Sequence, residues 1–183
     1  RNAIWHDAPL LNAYIPRCQS ILQSGNHDND VAVYWPVHDI WHNSRGMQQM
    51  LTVHHPDWLT KSAAGKLAAQ LKAEGVGYDF ISDRQLIAGL GTPYKAVMVP
   101  KTGHMPLATL KKLLAIDASG QPVIFSDSLP ADVPGFNTLE ERRAEVKQML
   151  QGQGGVKSEA LKEALGKTAA VCEPMVDHGL DFI

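Results

Sequence analysis

The sequence predicts an α/β protein with a doubly wound, mostly parallel sheet of flavodoxin-like type and a helical C-terminal extension. Two observations carry that prediction. Short apolar runs rich in β-branched and aromatic residues recur at Val31–Trp35, Tyr78–Ile81, Tyr94–Val99 and Val123–Phe125, and stretches of helical periodicity separate the later ones. Strands that read as continuous apolar runs, without polar alternation, are buried on both faces, as parallel strands are.

In chain order, apolar side chains at Leu10, Leu11, Tyr14, Ile15, Cys18, Ile21 and Leu22 mark an amphipathic helix over 10–24 that is expected to flank the sheet. Pro16 falls inside it and should kink or split it, and Gly25 is placed to end it. After the polar turn Asn26–Asn29, the strand beginning at Asp30 is predicted to be central, and Pro36 ends it. Met47–Leu51 reads as a short helical turn. Thr60 or Ser62 caps a helix over Ala63–Glu74 with Ala64, Leu67, Ala68 and Leu71 inward, and Gly75 and Gly77 terminate it. Ser82 or Asp83 caps a brief helix through Leu90, and Pro100 ends the third strand. Pro106 opens a helix to about Asp117.

Past Ser126 the pattern changes. Residues 126–135 form a Pro-rich connector, and Thr138 with Glu141 reads as a capping box for a helix through Leu150. After the break at Gln151–Gly155, Ser158 caps a helix over Glu159–Leu165, and the terminal Leu180–Ile183 reads as a strand. The expected organisation is therefore a Rossmann-like module over 1–135, including the N-terminal helix, and a helical extension over 136–183. Starting at Arg1, the chain is expected to be a processed protein or a piece of a longer one.

Composition narrows the function classes. With 183 residues, 44% apolar and 20% charged, the chain is ordinary for a globular protein, and a net charge of −2 supplies no basic field for nucleic acid. No apolar run approaches the roughly 18 residues needed to span a bilayer, so no membrane partner is expected. Cys18 and Cys172 lie in no motif and leave the compartment open.

The chemistry-bearing residues collect after the first and third strands, at His38, Asp39, Trp41, His42 and Asn43, and at Thr102 and His104. In open parallel sheets ligands sit outside the carboxyl ends of the strands, which makes these loops the candidate site. His38, Asp39 and His42 are metal-ligating types. The His-x3-His spacing shares a face only on a helix, however, and a segment after a Pro-ended strand reads as loop, so no metal is expected. A polar rim facing a sugar or another domain suits Trp, His, Asp and Asn better. No Gly-x-Ser-x-Gly, Gly-x-Gly-x-x-Gly or Walker sequence is present, no cysteine lies at a strand-to-helix turn, and the glutamates sit mostly on amphipathic helices. No catalytic residue and no cofactor is therefore assigned.

Several of these segments resemble a region of large bacterial glycoside hydrolases. They are Tyr-Ile-Pro-Arg-Cys-Gln-Ser-Ile-Leu-Gln-Ser-Gly (14–25), Asp-Val-Ala-Val-Tyr-Trp-Pro (30–36), Tyr-Asp-Phe-Ile-Ser-Asp (78–83), Tyr-Lys-Ala-Val-Met-Val-Pro (94–100), Met-Pro-Leu-Ala-Thr-Leu (105–110) and His-Gly-Leu-Asp-Phe-Ile (178–183). The family they resemble is the α-L-rhamnosidase-like family 106, in which such a region follows a catalytic (β/α)8 barrel. The module is also similar to the β-galactosidase trimerisation domain, with its class I glutamine amidotransferase-like fold. The resemblance implies a non-catalytic accessory or scaffold module of a carbohydrate-active parent, partnered by an adjacent barrel and shaping its cleft or contacting carbohydrate. Two alternatives stand beside it. One is a small amidotransferase-like hydrolase using Cys18 or Cys172 with a histidine, and the other is a flavodoxin-like small-ligand module.

Overall fold

A computed structural model describes residues 3–25, 28–45, 52, 54–155 and 160–180. A 3-10 turn, Ala3–His6, precedes α1 (Ala8–Leu22). Then follow β1 (Val31–Tyr34), α2 (Val37–His42), α3 (Asp57–Thr60), α4 (Ala63–Ala73), β2 (Tyr78–Ile81) and α5 (Asp83–Ala88). The chain continues through β3 (Ala96–Val99), α6 (Leu107–Ala118), β4 (Val123–Phe125), α7 (Leu139–Met149) and α8 (Leu161–Gly166) to a last 3-10 turn, Pro174–His178.

The four strands form one parallel sheet in the order β2-β1-β3-β4, so the Val31–Tyr34 strand is an inner one. Both of its faces are covered. Ala32 and Tyr34 join Ile81, Val97, Val99 and Phe125 on the face packed by Leu86 of α5, Leu110 and Leu113 of α6 and Val146 of α7. Val31 and Val33 join Met98 and Ile124 on the opposite face, packed by Leu67 and Leu71 of α4 and Leu161 and Leu165 of α8. Alternate residues of one strand thus feed two cores, which is why these strands carry no polar alternation. The doubly wound α/β fold read from the sequence is the fold observed.

Local chemistry explains several boundaries. Ser62 caps α4 by accepting a hydrogen bond from the Gly65 N–H, and Ser82 forms a reciprocal capping box with Gln85 at α5. Gly65 packs so closely on the preceding turn that an added Cβ would lie 1.9 Å from the Leu59 carbonyl oxygen. Gly75 adopts φ +74° beside the Glu173 backbone, where the C-terminal segment returns to the amino edge of the sheet.

Other expectations need correction. The 10–24 helix exists, but none of its 15 residues is buried, so it does not flank the sheet. Its principal packing partner is the 3-10 turn before it. Pro16 lies inside an uninterrupted helix and simply forgoes the bond to the carbonyl four residues back. The residues after Pro36 are helical rather than loop, forming α2. Thr138 sits at φ 46°, a left-handed conformation that turns its hydroxyl away from capping geometry, so the Thr138–Glu141 box does not form. The third strand begins at Ala96 rather than Tyr94, and α5 ends at Ala88, where Gly89 adopts φ 103°. The expected turn at Met47–Leu51, the Ser158 cap and most of the terminal Leu180–Ile183 strand lie outside the described residues.

Candidate functional site at the switch point of the sheet

From β2 the chain passes over β1 to reach β3, so the strand order reverses between β1 and β3. Such a switch point opens a crevice at the carboxyl edge, because the connections leaving the two strands diverge to opposite faces. Here β1 leads into α2 and β3 leads into the Lys101–His104 loop, the two segments that the sequence singles out.

Asp39 joins them. Its carboxylate accepts hydrogen bonds from the Gly103 N–H (2.8 Å) and the His104 N–H (2.7 Å), and its Oδ1 lies 3.0 Å from the Nδ1 of His104. Gly103 permits this approach, since a Cβ there would lie 3.3 Å from Asp39 Oδ1. The imidazole so oriented is stacked on His42, one turn further along the same side of α2, with ring centroids 3.8 Å apart. His38 turns elsewhere. Its Nε2 lies 3.5 Å from Asp83 Oδ2, and its ring meets Trp41 edge to face.

Asp83, at the start of α5, is a second hub. It accepts from the Tyr34 hydroxyl (2.9 Å) and the Thr109 hydroxyl (2.5 Å). Burial, reinforced by the Asp83 charge, pushes the Tyr34 hydroxyl far above the ordinary phenol range, so Tyr34 remains a donor. The connector after β4 supplies a third carboxylate. Asp132 is gripped by Nε and Nη2 of Arg143 at 2.8 and 2.6 Å, and these bonds hold it well below the usual carboxylate range against the opposing effect of burial. The backbone of that connector is sewn to the third-strand loop, because the Ala131 and Asp132 N–H groups donate to the Gly103 carbonyl.

The structure therefore brings Asp39, His42 and His104 into direct contact, with His38 and Trp41 beside them. Thr102 is adjacent in sequence but buried, its hydroxyl donating to the Pro100 carbonyl at 2.6 Å. Asn43 faces a separate cavity of about 290 Å3 beside Trp35, Trp58 and Lys101. Both cysteines are free, Cys18 on α1 and Cys172 before the last 3-10 turn, and neither lines this cavity. Among the described residues, no group of three or more His, Cys, Asp or Glu is arranged to hold a metal ion.

Sequence reasoning missed Asp83, Asp132, Arg143 and Phe136 as participants. The first had a signal: a tyrosine hydroxyl in a buried strand requires a partner, and Asp83 opens the helix after the neighbouring strand.

No protein-family model matches the chain, and no curated protein matches it in sequence. Among solved structures it is similar to a β-galactosidase from Bifidobacterium adolescentis, at 15% identity and a TM-score of 0.44. The alignment covers 71% of this chain and 56% of that one, so the chain spans little more than half of that protein's length.

Chemically, the carboxylates of this edge hold its segments together. Three of them are engaged by donors from the chain itself: Asp39 by two amides and an imidazole, Asp83 by two hydroxyls, Asp132 by a guanidinium. The one hydroxyl on the third-strand loop, Thr102, is turned inward.

Proposed function

We propose that this chain is a non-catalytic accessory module of a carbohydrate-active enzyme, a glycoside hydrolase of rhamnosidase-like type, held against a catalytic barrel of the same parent. The observation that carries this reading is α1. Two adjoining rows of apolar side chains, Leu10, Tyr14 and Ile21 in one and Leu11, Ile15 and Leu22 in the other, are all between 42% and 74% exposed. A helix written with an apolar stripe but lying off the core is a helix written for another surface. The engagement of Asp39, Asp83 and Asp132 by groups of the chain itself supports the non-catalytic half of the proposal. The sequence segments that resemble family 106 supply its carbohydrate context.

The test compares this chain with a longer one that carries the upstream barrel, on aryl rhamnosides and aryl galactosides. The expected result is no turnover by this chain and turnover by the longer one. Replacing Leu11 and Ile15 together by Asp should lower the melting temperature and activity of the longer chain. Turnover by this chain alone, abolished by one substitution such as Asp39→Asn, would overturn the proposal, as would a longer chain indifferent to the α1 changes.

A further inference from the structure

A second cavity at the carboxyl edge lies between α2, the Lys101–His104 loop and the connector after β4. It measures about 310 Å3, and its walls include Trp41, His42, His104, Asp132, Phe136 and Arg143. Ligand pockets run from roughly 300 to 1,000 Å3, so this one has room for a single small unit rather than a nucleotide or a long oligomer.

Two large aromatic side chains in this wall are left on the surface, Trp41 at 62% and Phe136 at 94% exposure. Phe136 is not on a loose tip. The Arg142 guanidinium donates to the carbonyls of Pro134 (2.7 Å), Gly135 (2.8 Å) and Asn137 (2.8 Å), pinning the backbone on both sides of it. Gly135, at φ 85°, makes the turn that presents it. An exposed ring on a loop whose backbone is already pinned is an aromatic platform that needs no loop ordering on binding.

The polar lining is equally pre-formed. Asp39 fixes the His104 ring through Nδ1, so that Nε2 is the ring nitrogen left for a ligand, and the other wall carries the Asp132–Arg143 pair. The charged groups named in and around this lining have partners within the chain. Arg143 is matched by Asp132 and further bound to Glu140, while His38 faces Asp83 and His104 faces Asp39. The one guanidinium of the lining, shared by two carboxylates, is thus not free to bind an anion.

A neutral ligand with one apolar face and a rim of hydroxyls satisfies all of these features, and that is the chemistry of a pyranose ring. We infer that this cavity binds a single neutral pyranose unit of a glycan, with Trp41 and Phe136 against its C–H face and His104 and the Asp132–Arg143 pair on its hydroxyls. The inference rests on the carbohydrate context proposed above and adds a ligand site to it.

The test is an NMR titration of the 15N-labelled chain with the methyl glycosides of L-rhamnose, D-galactose and D-glucose, each to about 50 mM, with glycerol as a ring-less control. At least one glycoside should give saturable shifts at the Gly103 and His104 amides, the Phe136 amide and the Trp41 indole N–H, and glycerol should give none. Trp41→Ala and Phe136→Leu should each weaken binding by about 3–10-fold. Both side chains are exposed, so melting curves of the variants should match the parent, and the shift map provides a readout independent of them. The inference is overturned if no glycoside gives saturable shifts, if the shifts map elsewhere, if glycerol reproduces them, or if both variants bind like the parent. Absence of sugar binding in a chain that still docks on the barrel overturns this inference and leaves the module reading intact. Sugar binding accompanied by hydrolysis does the reverse.

Discussion

Removing the Asp39 carboxylate tests whether the switch point is held together as the structure implies. In Asp39→Ala the Gly103 and His104 amides and the His104 ring all lose their acceptor at once. A hydrogen bond to a charged group is worth roughly 1.5–3 kcal/mol net, so three shared by one carboxylate set an upper range of about 4–9 kcal/mol. That range must be reduced, because the Asp39 side chain is 27% exposed and water can reach part of what is vacated. A loss of about 2–4 kcal/mol is expected, or roughly 5–15 °C in melting temperature for a chain of this size. Asp39→Asn keeps one acceptor oxygen but turns an NH2 toward the remaining donors, so it should recover less than half of the loss. Thermal melts followed by circular dichroism give the magnitude, and hydrogen exchange gives the location. The Gly103 and His104 amides should lose protection far more than amides of β2 or α4. An Asp39→Ala variant melting within about 2 °C of the parent, with those two amides still protected, would refute the argument that one carboxylate clamps β1 to β3 at this edge.

Four further outcomes follow from the packing. Gly65→Ala in α4 should destabilise by about 2–4 kcal/mol, although Ala is normally the better helix residue by about 1 kcal/mol, because its Cβ would collide with the Leu59 carbonyl; urea melts give the sign directly. Val33→Asp should prevent folding, since Val33 is fully buried on an inner strand, and a variant with unchanged melting would contradict that placement. The Asp132–Arg143 pair should contribute stability that is fully present above the ordinary carboxylate value of 3.8 and is lost as pH falls through the lowered native value, because the unfolded state binds the proton first. Acid titration of the parent and of Asp132→Asn should therefore converge at low pH, and curves that stay parallel would contradict it. Leu11→Asp in this chain should move the melting temperature by less than about 2 °C, since no residue of α1 is buried; a larger fall would mean that α1 contributes to the core.

The sheet was legible because its signal is local and redundant. Each strand is a compact apolar run closed by a breaker, and the periods of the intervening helices agree with the faces they bury, as Leu67 and Leu71 do on α4 and Leu110 and Leu113 on α6. Helix α1 shows the limit of the same reasoning. Periodicity states that a face is apolar, and nothing in it states which surface is opposite. Its stripe is as regular as that of α4, yet one is buried on the sheet and the other lies in solvent. Helix α2 was missed for a different reason: its six residues make too few turns for their period to outweigh the proline before them.

The site was half legible for a related reason. Strand ends can be read from sequence, and in a parallel sheet they converge, so the residues after β1 and β3 were expected to meet. The third contributor, the connector carrying Asp132 and Phe136, follows β4, and its return toward β3 depends on the Ala131 and Asp132 amides pairing with the Gly103 carbonyl. Backbone pairing of that kind has no residue-type signature. The same distinction separates a holding site from a cleaving one. Glycoside hydrolysis needs two carboxyl groups facing a sugar across roughly 5–10 Å with oxygens available to it. A sequence lists aspartates without saying what their oxygens accept. Here Asp39 accepts from Gly103 and His104, Asp83 from Tyr34 and Thr109, and Asp132 from Arg143. Removing any one of them would break contacts that shape the crevice. The carboxylates that make this edge a site are thus the same ones that hold its segments together.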